Sequence, residues 1–191
     1  MNKFTVAVDV DCVLNNLIDK TIEMYNLKYG ESLTIDMLDK YEVSKCLPND
    51  KAQKFVDLFL EKELWDSLTP LRNAQWGIKQ LVERGYEVYL ATSTHYINFP
   101  WKVEWLKHHF GMIPANNIIC IHNKSLLKVD VLIDDCLDQL LSSHWYERVC
   151  FDYPWNRNIW DEPRGIHRVH NWLETVDVVN EIFDKGCVET V

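Results

Sequence analysis

Five short runs along the chain are almost wholly apolar and rich in β-branched or aromatic residues: 4–10, 86–91, 117–121, 129–133 and 148–151. Most lack the strict alternation of a strand with one wet face, which predicts strands buried on both faces of a parallel sheet. Helical periodicity separates several of them. Asn73 reads as the N-cap of a helix running to Arg84, with Gly85 as its stop. Pro100 suits the first turn of a helix that carries Val103, Leu106 and Phe110 on one face and ends at Gly111. Further on, Val169, Trp172, Val176, Val179 and Phe183 recur at three- and four-residue spacing, predicting one helix with a buried face. Strands alternating with helices predict an α/β fold, a Rossmann-like doubly wound parallel sheet.

One interval breaks the alternation. Some seventy residues separate the first run from the second, far more than a crossover helix needs. Leu14, Leu17, Ile18, Thr21, Ile22, Tyr25 and Tyr29 mark an amphipathic helix closed by Gly30, and Ala52, Phe55, Val56 and Phe59 mark another after a turn at Pro48-Asn49-Asp50. The expected organisation is a core made of 1–13 and 73–191, with a helical insertion at 14–72 over the carboxyl end of the first strand.

The chemistry sits at strand ends. The first run finishes in Asp9-Val-Asp11 and the fourth in Asp134-Asp135. A single aspartate after a strand caps the next turn as readily as it binds a ligand. Two acidic pairs at two strand ends are harder to read that way. Ligand sites of open α/β sheets lie outside the carboxyl ends of the strands, where strand order reverses. If those two strands are neighbours, four carboxylates converge, and they cannot all stay ionised without a cation. An all-oxygen set with no paired His or Cys favours Mg²⁺. The second strand ends in Thr92-Ser93, which adds hydroxyls at the same edge, and Lys124 would offset charge on a nucleophile and on a bound phosphate.

Asp9-x-Asp11-x-Val13, Thr92, Lys124 and Asp134-Asp135, in that order on alternating strands, resemble the four motifs of the haloacid dehalogenase superfamily. Within it the chain is most similar to the 5′(3′)-deoxyribonucleotidase family, which carries a helical cap inserted soon after the first strand. The resemblance implies a phosphatase in which Asp9 is the nucleophile and Asp11 the acid and base. Mg²⁺ would be held by Asp9, Asp134, the Asp11 carbonyl and Asp135, while Thr92, Ser93 and Lys124 would bind the phosphoryl group. It implies a nucleoside monophosphate as substrate, with Leu17, Tyr41, Trp65 and His95 as candidate contacts from the cap side. A core role competes for Tyr41 and Trp65. The alternative on the same fold is a phosphatase for another small ester, such as a sugar or cofactor phosphate. Two features depart from the superfamily pattern: Cys12 fills a position that is often small, and Leu14-Asn15-Asn16 lacks a glycine that many members have. A receiver-type phospho-acceptor domain shares the residue types, but it is shorter and lacks a long insertion after its first strand.

Charge and cysteine content narrow the partners. Twenty Lys and Arg against 29 Asp and Glu leave a net charge of −9, which argues against a nucleic-acid polymer. No run is long and apolar enough for a membrane span. Six scattered cysteines without a Cys-x-x-Cys read as reduced thiols, so a cytoplasmic setting is expected; Cys12, Cys120 and Cys150 read as small buried hydrophobes. Oligomeric state is left open, a homodimer included. In the segment 151–157, Trp155 and Asn156 read as loop packing and Arg157 as a residue within reach of a phosphate. His167 and His170 have no Cys or Glu convincingly joining them as a zinc set.

Overall fold

The computed structural model describes residues 3–142, 144–157 and 165–188. Its centre is a six-stranded, all-parallel sheet in the order β3-β2-β1-β4-β5-β6. The strands are β1 (Thr5–Val8), β2 (Glu87–Thr92), β3 (Ile118–Cys120), β4 (Val131–Asp134), β5 (Glu147–Phe151) and β6 (Ile166–Val169). This is the doubly wound order, with the reversal at β1, the strand that ends in Asp9. The central strands β1 and β4 are nearly free of polar side chains because helices cover both faces: Val6, Ala7, Val8, Val131, Leu132 and Ile133 are all fully buried.

The sixth strand departs from the sequence reading, which assigned Val169 to the last helix. Val169 instead closes β6, paired with Phe151, and the helix α7 (Trp172–Val188) begins three residues later. Ile-His-Arg-Val is short and half polar, as suits an edge strand, and nothing in its period marks it. Cys12 and Cys150 are buried as expected, but Cys120, at the end of the edge strand β3, is exposed. The five cysteines whose side chains are described are all free thiols.

Between β1 and β2 lie α1 (Leu17–Tyr29), α2 (Asn49–Asp57), α3 (Lys62–Ser67) and α4 (Ala74–Glu83), with short 3₁₀ turns among the first three. Gly30 ends α1 in the left-handed conformation, as its position suggested. Tyr25, Leu38, Phe55 and Leu58 form a separate small core for this stretch. Val56 does not share it: it is exposed, because Ala52 and Phe55 define the buried face of α2. Asn73 precedes α4 but makes no side-chain cap; it turns the chain by adopting a left-handed backbone, φ 64°. The helix α5 (Phe99–His109) follows β2, and α6 (Leu137–Leu141) follows β4. No helix among the described residues is long and apolar enough to cross a membrane.

Trp172, at the start of α7, ties the back of the sheet to the loop after β1. Its indole N–H donates to the Val13 carbonyl at 2.8 Å, and its fully buried ring lies against Gly77 of α4. A Cβ at residue 77 would meet the Trp172 ring at 2.3 Å. Gly77→Ala should therefore destabilise the protein by about 1–3 kcal/mol through overpacking, more than offsetting the roughly 1 kcal/mol that alanine gains in a helix. A thermal midpoint equal to or above wild type would contradict this packing.

Candidate active site

Parallel pairing sets Val8 opposite Ile133, so β1 and β4 deliver their next residues to one place. Asp9 extends the pairing, its backbone N–H donating to the Ile133 carbonyl at 2.9 Å. Lys124, in a 3₁₀ turn after β3, reaches over the edge of the sheet. Its ammonium donates to Asp9 Oδ1 and to Asp134 Oδ2, the latter at 2.5 Å, and all three side chains are almost completely buried. Its backbone N–H donates to Gln139 Oε1 of α6 at 3.0 Å, which anchors the turn. One carboxylate oxygen each from Asp9, Asp134 and Asp135 lie within 4.8 Å of one another.

This much negative charge in a buried place has consequences. Burial pushes the Asp9 carboxyl up to about 7, helped by Asp134 and Asp11 and opposed by Lys124. Burial, then Asp134 and Asp9, also hold the Asp135 carboxyl well above the usual carboxylate range, against Lys124 and a hydrogen bond from Trp155. Burial works against the Lys124 charge, yet Asp9 and Asp134 outweigh it and raise its pKa. Were all three carboxylates ionised, the one ammonium would leave two negative charges uncompensated. An oxygen-only cluster with that residual charge fits a divalent cation.

Asp11 turns away from this group. Its Oδ1 accepts from Asn15 Nδ2 at 3.1 Å, and its Oδ2 accepts from Lys102 Nζ at 2.5 Å. Lys102 also donates to Thr92 Oγ1 at 2.8 Å, so the second strand's hydroxyl is joined to the first strand's second acid. The loop itself is strained: Cys12 adopts a left-handed backbone at φ 62° without being glycine. Asn15, fully buried, stabilises that turn by accepting from the backbone N–H groups of Cys12 and Leu17. Asn16 and Leu14 then lace the outgoing chain to Thr69 and Leu71 on the return.

Over these groups opens one cavity of about 520 Å³. Asp9, Asp11, Ser93, Lys124, Asp134 and Asp135 form its floor and near rim, and Leu17, Tyr41, Trp65 and His95 also line it. Thr92 lies beneath, fully buried. Ser93 is exposed at the rim, 3.0 Å from His122 Nδ1. Trp65 is buried, its N–H given to the Phe59 carbonyl and its ring set over Lys102, whereas Tyr41 is exposed at the mouth. Arg157 does not approach: it pairs with Asp152 at 2.6 Å. Trp155 instead donates its indole N–H to Asp135 Oδ2 at 2.9 Å, and Asn156 donates to the Asp135 carbonyl, so the segment after β5 braces the acid pair. His167 lies near Glu147 and His170 near Glu174, two separate pairs.

Comparison with known proteins agrees with this architecture. The family model described as 5′ nucleotidase, deoxy (Pyrimidine), cytosolic type C protein matches residues 2–185. The chain belongs to this family. A 5′(3′)-deoxyribonucleotidase of Clostridium acetobutylicum is 30% identical over 185 residues, covering 96% of this chain and 99% of its own. One from Bacillus subtilis is 32% identical over 175 residues, covering 90% and 96%. Among solved structures, a haloacid dehalogenase family hydrolase of Deinococcus radiodurans with bound phosphate and sodium superposes with a TM-score of 0.64 at 12% identity, covering 94% of this chain and 96% of that one; the likeness extends to the fold. Members of the nucleotidase family are phosphoric monoester hydrolases, and the haloacid dehalogenase fold read from the motifs is the fold observed.

Lys102, His122, Gln139 and the Trp155–Asp135 bond were not anticipated from sequence. The expected face of α5 is buried at Leu106 and Phe110 and partly buried at Val103, and Lys102 and Trp105 are buried beside it.

The raised Asp9 pKa yields a prediction. Unfolded, its carboxyl releases a proton near 3.8; folded and metal-free, it holds the proton to about 7. Its contribution to stability is therefore full below pH 3.8 and is lost as pH rises through 7. Stability of the metal-free protein should fall across that window, and the Asp9-dependent part should vanish in Asp9→Asn. A divalent cation at a hundred times its Kd should add about 2.7 kcal/mol at pH 8, roughly 5–10 °C in midpoint, and much less at pH 5. Calorimetry showing equal cation affinity at both pH values would contradict the cluster as the site.

Proposed function

We propose that the protein is a Mg²⁺-dependent phosphatase that hydrolyses nucleoside monophosphates, preferring deoxyribonucleotides, through an aspartyl-phosphate on Asp9. The observation that carries this reading is the Lys124 ammonium set between Asp9 and Asp134 in a cavity that Leu17, Ile18, Leu38 and Phe59 also line. Asp9 attacks phosphorus, and the bond from phosphorus to the nucleoside oxygen breaks. Asp11 gives that oxygen its proton, then takes one from the water that attacks the aspartyl-phosphate. The bond from phosphorus to Asp9 breaks in turn, freeing inorganic phosphate and restoring the carboxylate.

Thr92 and Ser93 bind phosphoryl oxygens, and Lys124 offsets the equatorial charge as it does the resting carboxylates. Asp9, Asp134 and the Asp11 carbonyl, with Asp135 assisting, would hold Mg²⁺, which supplies further charge neutralisation on the phosphoryl group.

The stretch 14–72 acts as the cap. Leu17, Ile18, Leu38 and Phe59 give the cavity an apolar wall suited to a base, and Tyr41 stands at its mouth. Because one face of Trp65 is turned to Lys102, Tyr41 is the better partner for stacking. The deoxyribonucleotide preference rests on the family.

Asp9→Asn should lower kcat by at least about a thousandfold while leaving the fold intact. Near-normal turnover would end the covalent reading. In steady-state assays, kcat/KM for dUMP and dTMP should exceed that for a simple sugar phosphate by about tenfold or more. Tyr41→Ala should erase much of that margin, since base–aromatic stacking is worth roughly 1–3 kcal/mol. A sugar phosphate ranked equal or higher by wild type would favour the other small-ester reading.

A further inference from the structure

We propose that Lys102 is a positioning residue for phosphoryl transfer, holding Asp11 in its proton-donating pose and orienting the Thr92 hydroxyl toward the phosphoryl group. The inference rests on the reading of Asp11 as the acid. Lys102 is completely buried in the first turns of α5, in a site where a lysine is costly unless its donors are used. They are used on two groups only, Asp11 Oδ2 at 2.5 Å and Thr92 Oγ1 at 2.8 Å, while the face of Trp65 covers the ammonium with its ring centroid at 5.1 Å. Lys102 does not line the cavity, so it acts through these neighbours and not on substrate.

Each contact has a directional consequence. A threonine hydroxyl has one proton. Because Thr92 Oγ1 accepts from Lys102, its own proton is left to be given to another acceptor, and fully buried Thr92 sits directly before Ser93, which lines the cavity. Asp11 is gripped at both oxygens, by Lys102 on one and Asn15 on the other, which fixes its rotamer above the strained turn at Cys12. Trp65 belongs to α3 and Lys102 to α5, so this ammonium joins a helix of the insertion to the acid.

A purely structural lysine and a positioning lysine differ in one readout. Removing the first lowers activity on all esters alike, whereas removing the second matters most where the departing oxygen needs a proton. Aryl and alkyl phosphates from p-nitrophenyl through phenyl to benzyl span that need without involving a base. The parameter kcat/KM covers only steps up to cleavage of the ester, so the second role of Asp11 does not enter.

Lys102→Met should cut kcat/KM for benzyl phosphate by about a hundredfold and for p-nitrophenyl phosphate by far less, steepening the dependence on leaving-group acidity. Lys102→Arg keeps the charge but displaces the contact; it should fold like wild type and also steepen the dependence, which covers the case in which the methionine variant does not fold. A parallel loss across the series, or an unchanged slope in both variants, overturns the proposal. Asp9→Asn measured on the same esters separates the two levels: if its activity survives, the phosphoryl-transfer reading fails first, whatever Lys102 does.

Discussion

The rest of the molecule is organised around one buried ammonium between two buried carboxylates. Lys124 bridges Asp9 and Asp134, giving each of these buried carboxylates a charged hydrogen-bond partner. Parallel neighbours in register are what bring two strand-terminal acids side by side. Buried strands are what strip them of water. The same desolvation that makes the cluster costly makes its interactions strong. Stability lost at this edge of the sheet is therefore tied to chemistry gained there, and the apolar central strands offset the cost through burial on both faces.

Secondary contacts hold this edge from three directions. Trp172 fixes the loop after β1 from behind, through the Val13 carbonyl. Asn15 and Asn16 secure the turn that leaves that loop and stitch it to the returning chain at Thr69. Trp155 and Asn156 brace Asp135 from the segment after β5. The non-glycine left-handed turn at Cys12 persists because these contacts over-determine it. In the proposed mechanism, aspartates aimed by such a frame would need little reorganisation when a phosphoryl group arrives.

What was legible in the sequence follows from which signals are local. Central strands read clearly because burial on both faces leaves no polar interruptions, and the acidic pairs stood out against those apolar runs. The strand β6 did not, since an edge strand can carry His167 and Arg168 and so looks like a loop. Neighbouring β1 and β4 could be inferred only as a condition, because pairing is not written in either strand. Lys102 was hidden for a different reason. Lysine on a helix is usually solvated, and only the tertiary position of Asp11 and Thr92 shows why this one is buried. Arg157 reads in the sequence as within reach of a phosphate, whereas in the fold it pairs with Asp152, five residues before it on the same segment.

Stereochemistry at phosphorus tests the central claim, that this carboxylate cluster transfers the phosphoryl group through Asp9, most directly. A nucleoside monophosphate with an isotopically chiral phosphoryl group would be turned over with methanol as competing acceptor, and the configuration of the methyl phosphate read. Two in-line displacements, first onto Asp9 and then onto the acceptor, predict overall retention. Net inversion would mean direct transfer in one step, and it would contradict Asp9 as the nucleophile.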